Sequence, residues 1–246
     1  MSTRLFSVIV DSIEPHAIGR WWAEALDWPI LFDLETVLVI APAGLTGSEG
    51  VPGLAFVPVP EPKVTKNRVH LDLASRDAAD YAAIVERLIA AGATPTDVGQ
   101  KAEDPWTVLS DPEGNEFCVL QPEDDREVEG SLIGVAMDVR DPVALADFWA
   151  AATGRTVVTH ADDWVALRHP DGRMPDLDLL KVDDPKTAKN RLHFDVAPGA
   201  DDDQAAEVER MIALGATRID VGQPPDAGFV VLADPVGNEF CILGPR

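Results

Sequence analysis

KNRVHLDL spans residues 66–73 of the chain, and KNRLHFDV spans residues 189–196. From Arg68 and Arg191 onward, side chains that carry charge or an imidazole alternate with apolar ones. Because side chains alternate between the two faces of a strand, each stretch is predicted to form a strand with one polar and one apolar face. We expect the apolar face to pack beneath a helix and the polar face to line a concave surface.

A second motif recurs at the same spacing of 123 residues. VLSDPEGNEFC spans residues 108–118, and VLADPVGNEFC spans residues 231–241. Asp, Pro and Gly stand at the turn positions that favour a type I turn, so a tight hairpin explains Asp111 and Asp234 without catalysis. The chain is therefore predicted to hold two copies of one domain, residues 1–121 and 131–246, joined by a charged linker at 122–130.

Each copy is predicted to repeat the order strand, helix, three strands. Asp77 is a good cap for the start of a helix, and Gly92 favours its end. Strands and helices do not alternate one for one, which argues against a doubly wound parallel sheet and for an α+β fold of four βαβββ modules. In the first copy we expect helices at 15–27 and 78–91 and strands at 5–10, 30–34, 37–40, 54–59, 68–73, 96–98, 106–109 and 116–121.

Charge and composition narrow the function. The formal net charge is −23 and the pI is near 4.3, which disfavours nucleic acid and anionic membrane surfaces as partners. No apolar run reaches the length of a membrane span, and the N-terminus lacks the long apolar stretch of a signal peptide. The two cysteines, Cys118 and Cys241, occupy matching positions in the repeats. We interpret them as reduced thiols and expect a cytoplasmic protein.

The module order, the Lys-Asn-Arg-x-His-x-Asp strand and the Asp-Pro-x-Gly-Asn hairpin together resemble the vicinal oxygen chelate superfamily. That group includes glyoxalase I, bleomycin-resistance proteins and extradiol dioxygenases, and the closest likeness is to its glyoxalase-like domain branch. The resemblance covers both copies and implies curved mixed sheets around a cup that holds a small molecule. It does not define the reaction, because the fold hosts metal enzymes and drug binders alike.

Metal-using members of this superfamily take ligands from His, His and Glu positions. The resemblance places one histidine position on His70 and His193 of the two copies. The first-strand position holds Ser7 and Gly134, and the last-strand position holds Cys118 and Cys241. Because two of the three usual ligands are replaced, we expect no cofactor and favour a binder in the style of bleomycin-resistance proteins.

The alternative is a metal-dependent lyase, isomerase or dioxygenase of glyoxalase type with a rearranged ligand set. Zn, Ni, Mn or Fe would then be held by His70, Glu116, His193 and Glu239, since these donor types are competent ligands. His70 and His193 are the candidate catalytic residues in either copy. A third possibility is metal-free acid–base catalysis by His70 with Asp72 as its orienting partner. The sequence leaves open whether the protein is an enzyme.

The remaining candidates are residues that could contact a ligand. Arg68 and Arg191 could hold an anionic group, or could pair with Glu116 and Glu239 instead. An aromatic ligand could stack on a tryptophan. The candidate ligand-binding residues are Arg68, Asp72, Glu116, Trp106, Arg191, Asp195, Glu239 and Trp164. Modules could pair within a copy, between copies or between chains, and we expect a monomer or a homodimer.

Overall fold

The computed structural model describes residues 3–44, 51–122, 131–173 and 175–246. Four βαβββ modules follow one another, which confirms the predicted α+β fold. All of the predicted linker except Pro122 lies outside the described residues. The elements are, in module 1, β1 (Arg4–Ser12), α1 (Pro15–Leu26), β2 (Ile30–Leu34), β3 (Val37–Ile40) and β4 (Gly53–Pro58); in module 2, β5 (Val69–Leu73), α2 (Ala78–Ala90), β6 (Thr94–Pro95), β7 (Trp106–Ser110) and β8 (Glu116–Leu120); in module 3, β9 (Leu132–Val139), α3 (Pro142–Thr153), β10 (Thr156–His160), β11 (Trp164–Arg168) and β12 (Asp176–Lys181); in module 4, β13 (Leu192–Ala197), α4 (Gln204–Ala213), β14 (Thr217–Arg218), β15 (Phe229–Ala233) and β16 (Glu239–Leu243).

Each of the two eight-stranded sheets takes one module from each copy. Sheet A has the strand order β14-β15-β16-β13-β1-β4-β3-β2 and therefore joins modules 1 and 4. Sheet B has the order β10-β11-β12-β9-β5-β8-β7-β6 and joins modules 2 and 3. The central pairs, β1 with β13 and β5 with β9, are antiparallel. Of the three pairings that the sequence left open, the structure thus adopts the one between copies.

One short strand lies earlier than the sequence predicted. The strand expected at residues 96–98 is the two-residue β6 at Thr94–Pro95, which pairs with β7. The carboxylate of Asp97 accepts a hydrogen bond of 2.8 Å from the backbone N–H of Gly99, and Gly99 has a φ of 94°. This local turn ends the strand, because an aspartate that bonds the backbone two residues later favours a turn over a ladder.

The core lies between the two sheets and contains helices α1 and α3. Val69, Leu71 and Leu73 are buried in it, which confirms the predicted apolar face of the strand around His70. Trp22 of α1 packs edge-on against Phe117 of sheet B, with ring centroids 5.0 Å apart. Trp149 of α3 makes the matching contact with Phe240 of sheet A, with ring centroids 5.4 Å apart. Each tryptophan thus covers apolar surface of the sheet to which its own module does not belong.

Both tryptophans also hydrogen-bond to a hairpin. The indole Nε1 of Trp22 donates to Asp111 Oδ2 at 3.0 Å, and that of Trp149 donates to Asp234 Oδ2 at 3.2 Å. Asp111 and Asp234 are buried, and each also accepts hydrogen bonds inside its own turn. The turn assignment is therefore right, and these carboxylates additionally join module 1 to module 2 and module 3 to module 4.

The two ends of the described chain lie side by side. The Arg4 Nη2 donates to the backbone oxygen of Arg246 at 2.7 Å. Both guanidinium groups lie near the ring of Phe6, at 6.0 Å and 5.2 Å from its centroid.

No helix within the described part of the chain combines the length and apolarity that a membrane crossing requires.

Cutting the chain between Pro122 and Ser131 tests the exchange of modules. We expect a protein cleaved at an inserted protease site to remain one particle, because both central ladders join residues from opposite sides of the cut. Size-exclusion chromatography with light scattering measures the mass before and after cleavage. Separation into two folded halves of about half the mass would contradict the described pairing.

Candidate functional site

A large cavity lies over one face of sheet A, and we call this face cup A. It has a volume of about 1010 Å³. The strands β1 and β13 cross its base, where Ser7 lies opposite Asp195 in the antiparallel ladder and Ile9 lies opposite His193. Cys241 on β16 is paired with Asp195 from the other side. The walls are mainly apolar and include Phe32, Leu34, Val39, Ala55, Phe229 and Val231.

The base of cup A carries polar groups that are largely uncharged. Burial, assisted by Lys189, lowers the pKa of His193 to about 4. Burial raises the pKa of Asp195 to about 7, against the opposing effect of hydrogen bonds from Ser7 and Cys241. Burial also raises the pKa of the Cys241 thiol. Near neutral pH, cup A therefore presents a neutral imidazole, a neutral thiol and a carboxyl group that is partly protonated.

The hydrogen bonds of cup A explain why its histidine is neutral. The Ser7 hydroxyl donates to Asp195 Oδ2 at 3.1 Å. The Nδ1 atom of His193 is buried and has no hydrogen-bond partner among the described residues. His193 therefore lacks a hydrogen-bonded carboxylate such as the one beside His70, and the charge of Glu239 only partly opposes the effect of burial on its pKa.

The matching face of sheet B, which we call face B, has the same three residue types in a different arrangement. His70 Nδ1 lies 2.9 Å from Asp72 Oδ1, and Cys118 is paired with Asp72. Burial opposes the charged form of His70, but Asp72 and Cys118 raise its pKa well above the ordinary value. The carboxylate of Asp72 therefore favours the charged form of the imidazole at face B, whereas burial favours the neutral form in cup A.

Cup A and face B also differ at one residue of the first strand of each copy. Ser7 of cup A corresponds to Gly134 of face B, because Ser7 is paired with Asp195 and Gly134 with Asp72. A Cβ atom at Gly134 would lie 3.0 Å from Asp178 Oδ2 and 3.5 Å from Asp72 Oδ2. Glycine thus leaves room for two carboxylates at face B and, unlike Ser7, offers no hydroxyl group to Asp72.

The two glutamates predicted to converge with the histidines have other partners. Glu116 accepts from Lys63 Nζ at 2.7 Å and from the backbone N–H of Asn67 at 3.0 Å. Glu239 accepts in the same way from Lys186 at 2.7 Å and from Asn190 at 3.2 Å. Among the described residues, the groups whose donor atoms lie within 4.8 Å of one another are His70, Asp72 and Cys118, and His193, Asp195 and Cys241.

The two predicted arginines contact the opposite copy. Arg68 Nη2 donates to the backbone oxygen of Asp184 at 2.7 Å. Arg191 Nη1 donates to the backbone oxygen of Glu61 at 2.6 Å, and its Nη2 lies 3.6 Å from Glu113 Oε2. These contacts replace the ion pairs considered with Glu116 and Glu239. Both arginines line a smaller groove of about 250 Å³ beside the junction of the copies.

The predicted tryptophans lie at face B, and the main apolar wall of cup A was not predicted. Trp106 and Trp164 are 37% and 40% exposed, and Trp164 Nε1 donates to Asp178 Oδ1 at 2.8 Å. In cup A, Phe32 and Leu34 of β2 are both 57% exposed. The run Ile30–Leu34 reads as an ordinary strand, and only its position in the sheet shows that these side chains border the cavity.

Comparisons with known proteins agree with the repeat. The family model described as "Glyoxalase-like domain" matches residues 7–120 and 134–243. The "putative dioxygenase" from Bacillus subtilis subsp. subtilis str. 168 superposes with a TM-score of 0.69 at 15% identity, over 100% of this chain and 86% of its own. Glyoxalase I from Zea mays superposes with a TM-score of 0.66 at 16% identity, over 99% and 92%. No curated protein matches the sequence. At these identities the structural likeness concerns the fold alone.

The pKa values of His70 and His193 are expected to be shifted in opposite directions from the ordinary value of a histidine. NMR of the imidazole resonances, assigned with His70→Gln and His193→Gln, measures each pKa. His70 should keep its proton above pH 6.5, because Asp72 stabilises the imidazolium, whereas His193 should stay neutral down to about pH 4. Equal pKa values for the two residues would show that the pairing of Ser7 with Asp195 does not separate them.

Proposed function

Since the chain belongs to the glyoxalase-like domain family, and carries two copies of that domain, we propose that it is a small-molecule binding protein whose ligand occupies cup A. The observation that carries this proposal is the cavity of about 1010 Å³ with exposed apolar walls. Binding pockets are typically concave, mainly apolar and supplied with a few polar groups. Cup A has this composition, with Ser7, His193 and Asp195 at its base.

The exposed wall provides a driving force for binding. Phe32 and Leu34 face water unless a ligand covers them. Removing apolar surface from water contributes roughly 25 cal/mol per Å². A ligand that covers this wall therefore gains affinity without any charged contact, which suits an aromatic or otherwise apolar molecule.

The polar base supports binding better than covalent catalysis. The reactive form of a cysteine is the thiolate, and burial together with the nearby Asp195 raises the pKa of Cys241. The neutral imidazole of His193 lacks the orienting partner that acid–base catalysts commonly use. These groups are suited to hydrogen bonding with a ligand.

A second candidate function is a divalent metal site at face B. Its donors would be His70, Asp72 and Cys118, whose ligand atoms lie within 4.8 Å of one another. The observation that favours face B is the additional carboxylate of Asp178 beside the space that Gly134 leaves open. The residues present fit a metal of the Zn, Ni, Mn or Fe type, which would act there as a Lewis acid. The protein would then be a metal-dependent enzyme of glyoxalase or dioxygenase type.

Location and assembly stay predictions. We propose a cytoplasmic protein that is a monomer or a homodimer. The module exchange supports a monomer, because each sheet already contains modules from both copies.

Filling cup A should weaken ligand binding. The neutral fluorescent probe N-phenyl-1-naphthylamine reports occupancy of apolar pockets. Ala55 lines the cavity, so Ala55→Trp is expected to weaken probe binding at least about tenfold, whereas Val64→Trp, at a position that is 79% exposed, should have no effect.

A second variant separates binding from folding. Phe32→Ser combined with Leu34→Ser replaces exposed side chains, so thermal stability should change little while probe affinity falls severalfold. The proposal is wrong if the wild-type protein does not bind the probe, or if these variants and wild type bind it equally.

Metal analysis tests the second candidate function. After equilibration with Zn, Ni, Mn or Fe and removal of excess ions, elemental analysis should find close to one ion per chain. His70→Gln should lose it, whereas the matched variant His193→Gln should retain it. No bound ion, or a loss caused by His193→Gln alone, would exclude a metal at face B.

A further inference from the structure

The aspartate at the bottom of each site has a different hydrogen-bond partner in cup A and at face B. In cup A the Ser7 hydroxyl donates to Asp195 Oδ2 at 3.1 Å. At face B the corresponding residue is Gly134, and the corresponding carboxylate, Asp72, contacts His70 Nδ1 at 2.9 Å. The serine hydroxyl of cup A thus supplies the hydrogen bond that the histidine supplies at face B.

The consequence for cup A is an imidazole without a protein partner. His193 lines the cavity, and its buried Nδ1 atom has no hydrogen-bond partner among the described residues. Buried polar groups in folded proteins are nearly always hydrogen-bonded, and the exceptions call for an explanation. The Nδ1 atom itself is out of reach of a ligand, but the His193 side chain as a whole is only partly buried, so a ligand in the cavity can hydrogen-bond to the part of the imidazole that remains open.

The charges around cup A disfavour an anionic ligand. Lys189 is already paired with Asp11, and Glu239 with Lys186. Apart from His193 and Cys241, the remaining ionisable side chains of the lining are Glu61, Asp195 and the exposed Arg246, which lies near Phe6 and whose charge already acts on Asp195. An anionic group at the base would lie beside these carboxyl groups, in a protein with a net charge of −23.

A cationic ligand is not favoured either. The carboxyl of Asp195 already accepts a hydrogen bond from Ser7. A cation at the base would lose its hydration without gaining a carboxylate that is free of other partners.

We propose that cup A selects an uncharged, largely apolar ligand whose amide or hydroxyl group hydrogen-bonds to His193, and that Ser7 is a positioning residue that holds Asp195 away from that imidazole. This inference rests on the proposed binding function of cup A. It assigns the ligand class and excludes the anionic ligand that the sequence had also allowed.

Four probes of nearly equal size separate the possibilities: 2-naphthamide, 2-naphthoate, 2-naphthylmethylammonium and 2-ethylnaphthalene. Their dissociation constants are measured on the full chain at pH 7.5 by titration calorimetry or by fluorescence. 2-Naphthamide should bind about tenfold more tightly than either charged probe. 2-Ethylnaphthalene reports the contribution of the apolar walls alone.

Variants at Ser7 test the positioning role. Ser7→Gly reproduces the arrangement of face B, so Asp195 becomes available to His193 and the preference for 2-naphthamide over 2-naphthoate should fall about tenfold. Ser7→Thr keeps a hydroxyl and should restore the preference. Ser75→Ala is the matched control, because Ser75 is also a buried serine but bonds the backbone oxygen of Leu120 outside the cavity, so the preference should not change.

Each result has a distinct meaning. If 2-ethylnaphthalene and 2-naphthamide both fail to bind, the proposed function of cup A is wrong and the inference fails with it. If 2-ethylnaphthalene binds but a charged probe binds as tightly as 2-naphthamide, the proposed function stands and the ligand class is overturned. If folded Ser7→Gly retains the full preference for 2-naphthamide, the positioning role of Ser7 is overturned.

Discussion

The structure depends on two antiparallel ladders that join the copies, β1 with β13 and β5 with β9. Each ladder lies at the middle of an eight-stranded sheet, so each candidate site contains strands that are far apart in sequence. His193 and Asp195 come from the second copy, whereas Ser7 and the apolar walls on β2, β3 and β4 come from the first. A site of this composition cannot form within one copy alone.

Much of the fold follows from local sequence rules. Alternation along residues 66–73 correctly placed His70 and Asp72 opposite a buried apolar face, and the hairpin motif correctly placed a turn at Asp111. The choice of partner module does not follow from such rules, because a strand edge offers the same backbone groups to either copy. The glutamates show a similar limit, since sequence alternation gives the face of Glu116 but not its pairing with Lys63.

The two candidate sites show how one side chain changes the chemistry of three others. His, Asp and Cys recur at both, yet the pKa of the imidazole is raised at face B and lowered in cup A. The sequence aligned Ser7 with Gly134, but only as two positions at which the usual metal-binding histidine is replaced. Which side chain hydrogen-bonds to the aspartate of each site is a property of the folded arrangement, and it follows only once the strands are paired.

The contacts among modules close into a ring. Strand ladders join modules 1 and 4 and modules 2 and 3, while the tryptophan–aspartate contacts join 1 to 2 and 3 to 4. Arg4 and Arg246 meet at one of these junctions. A circularly permuted gene, with the second copy first, would therefore encode the same closed arrangement. The contacts among the modules therefore determine the ring, and the order of the two copies along the chain does not.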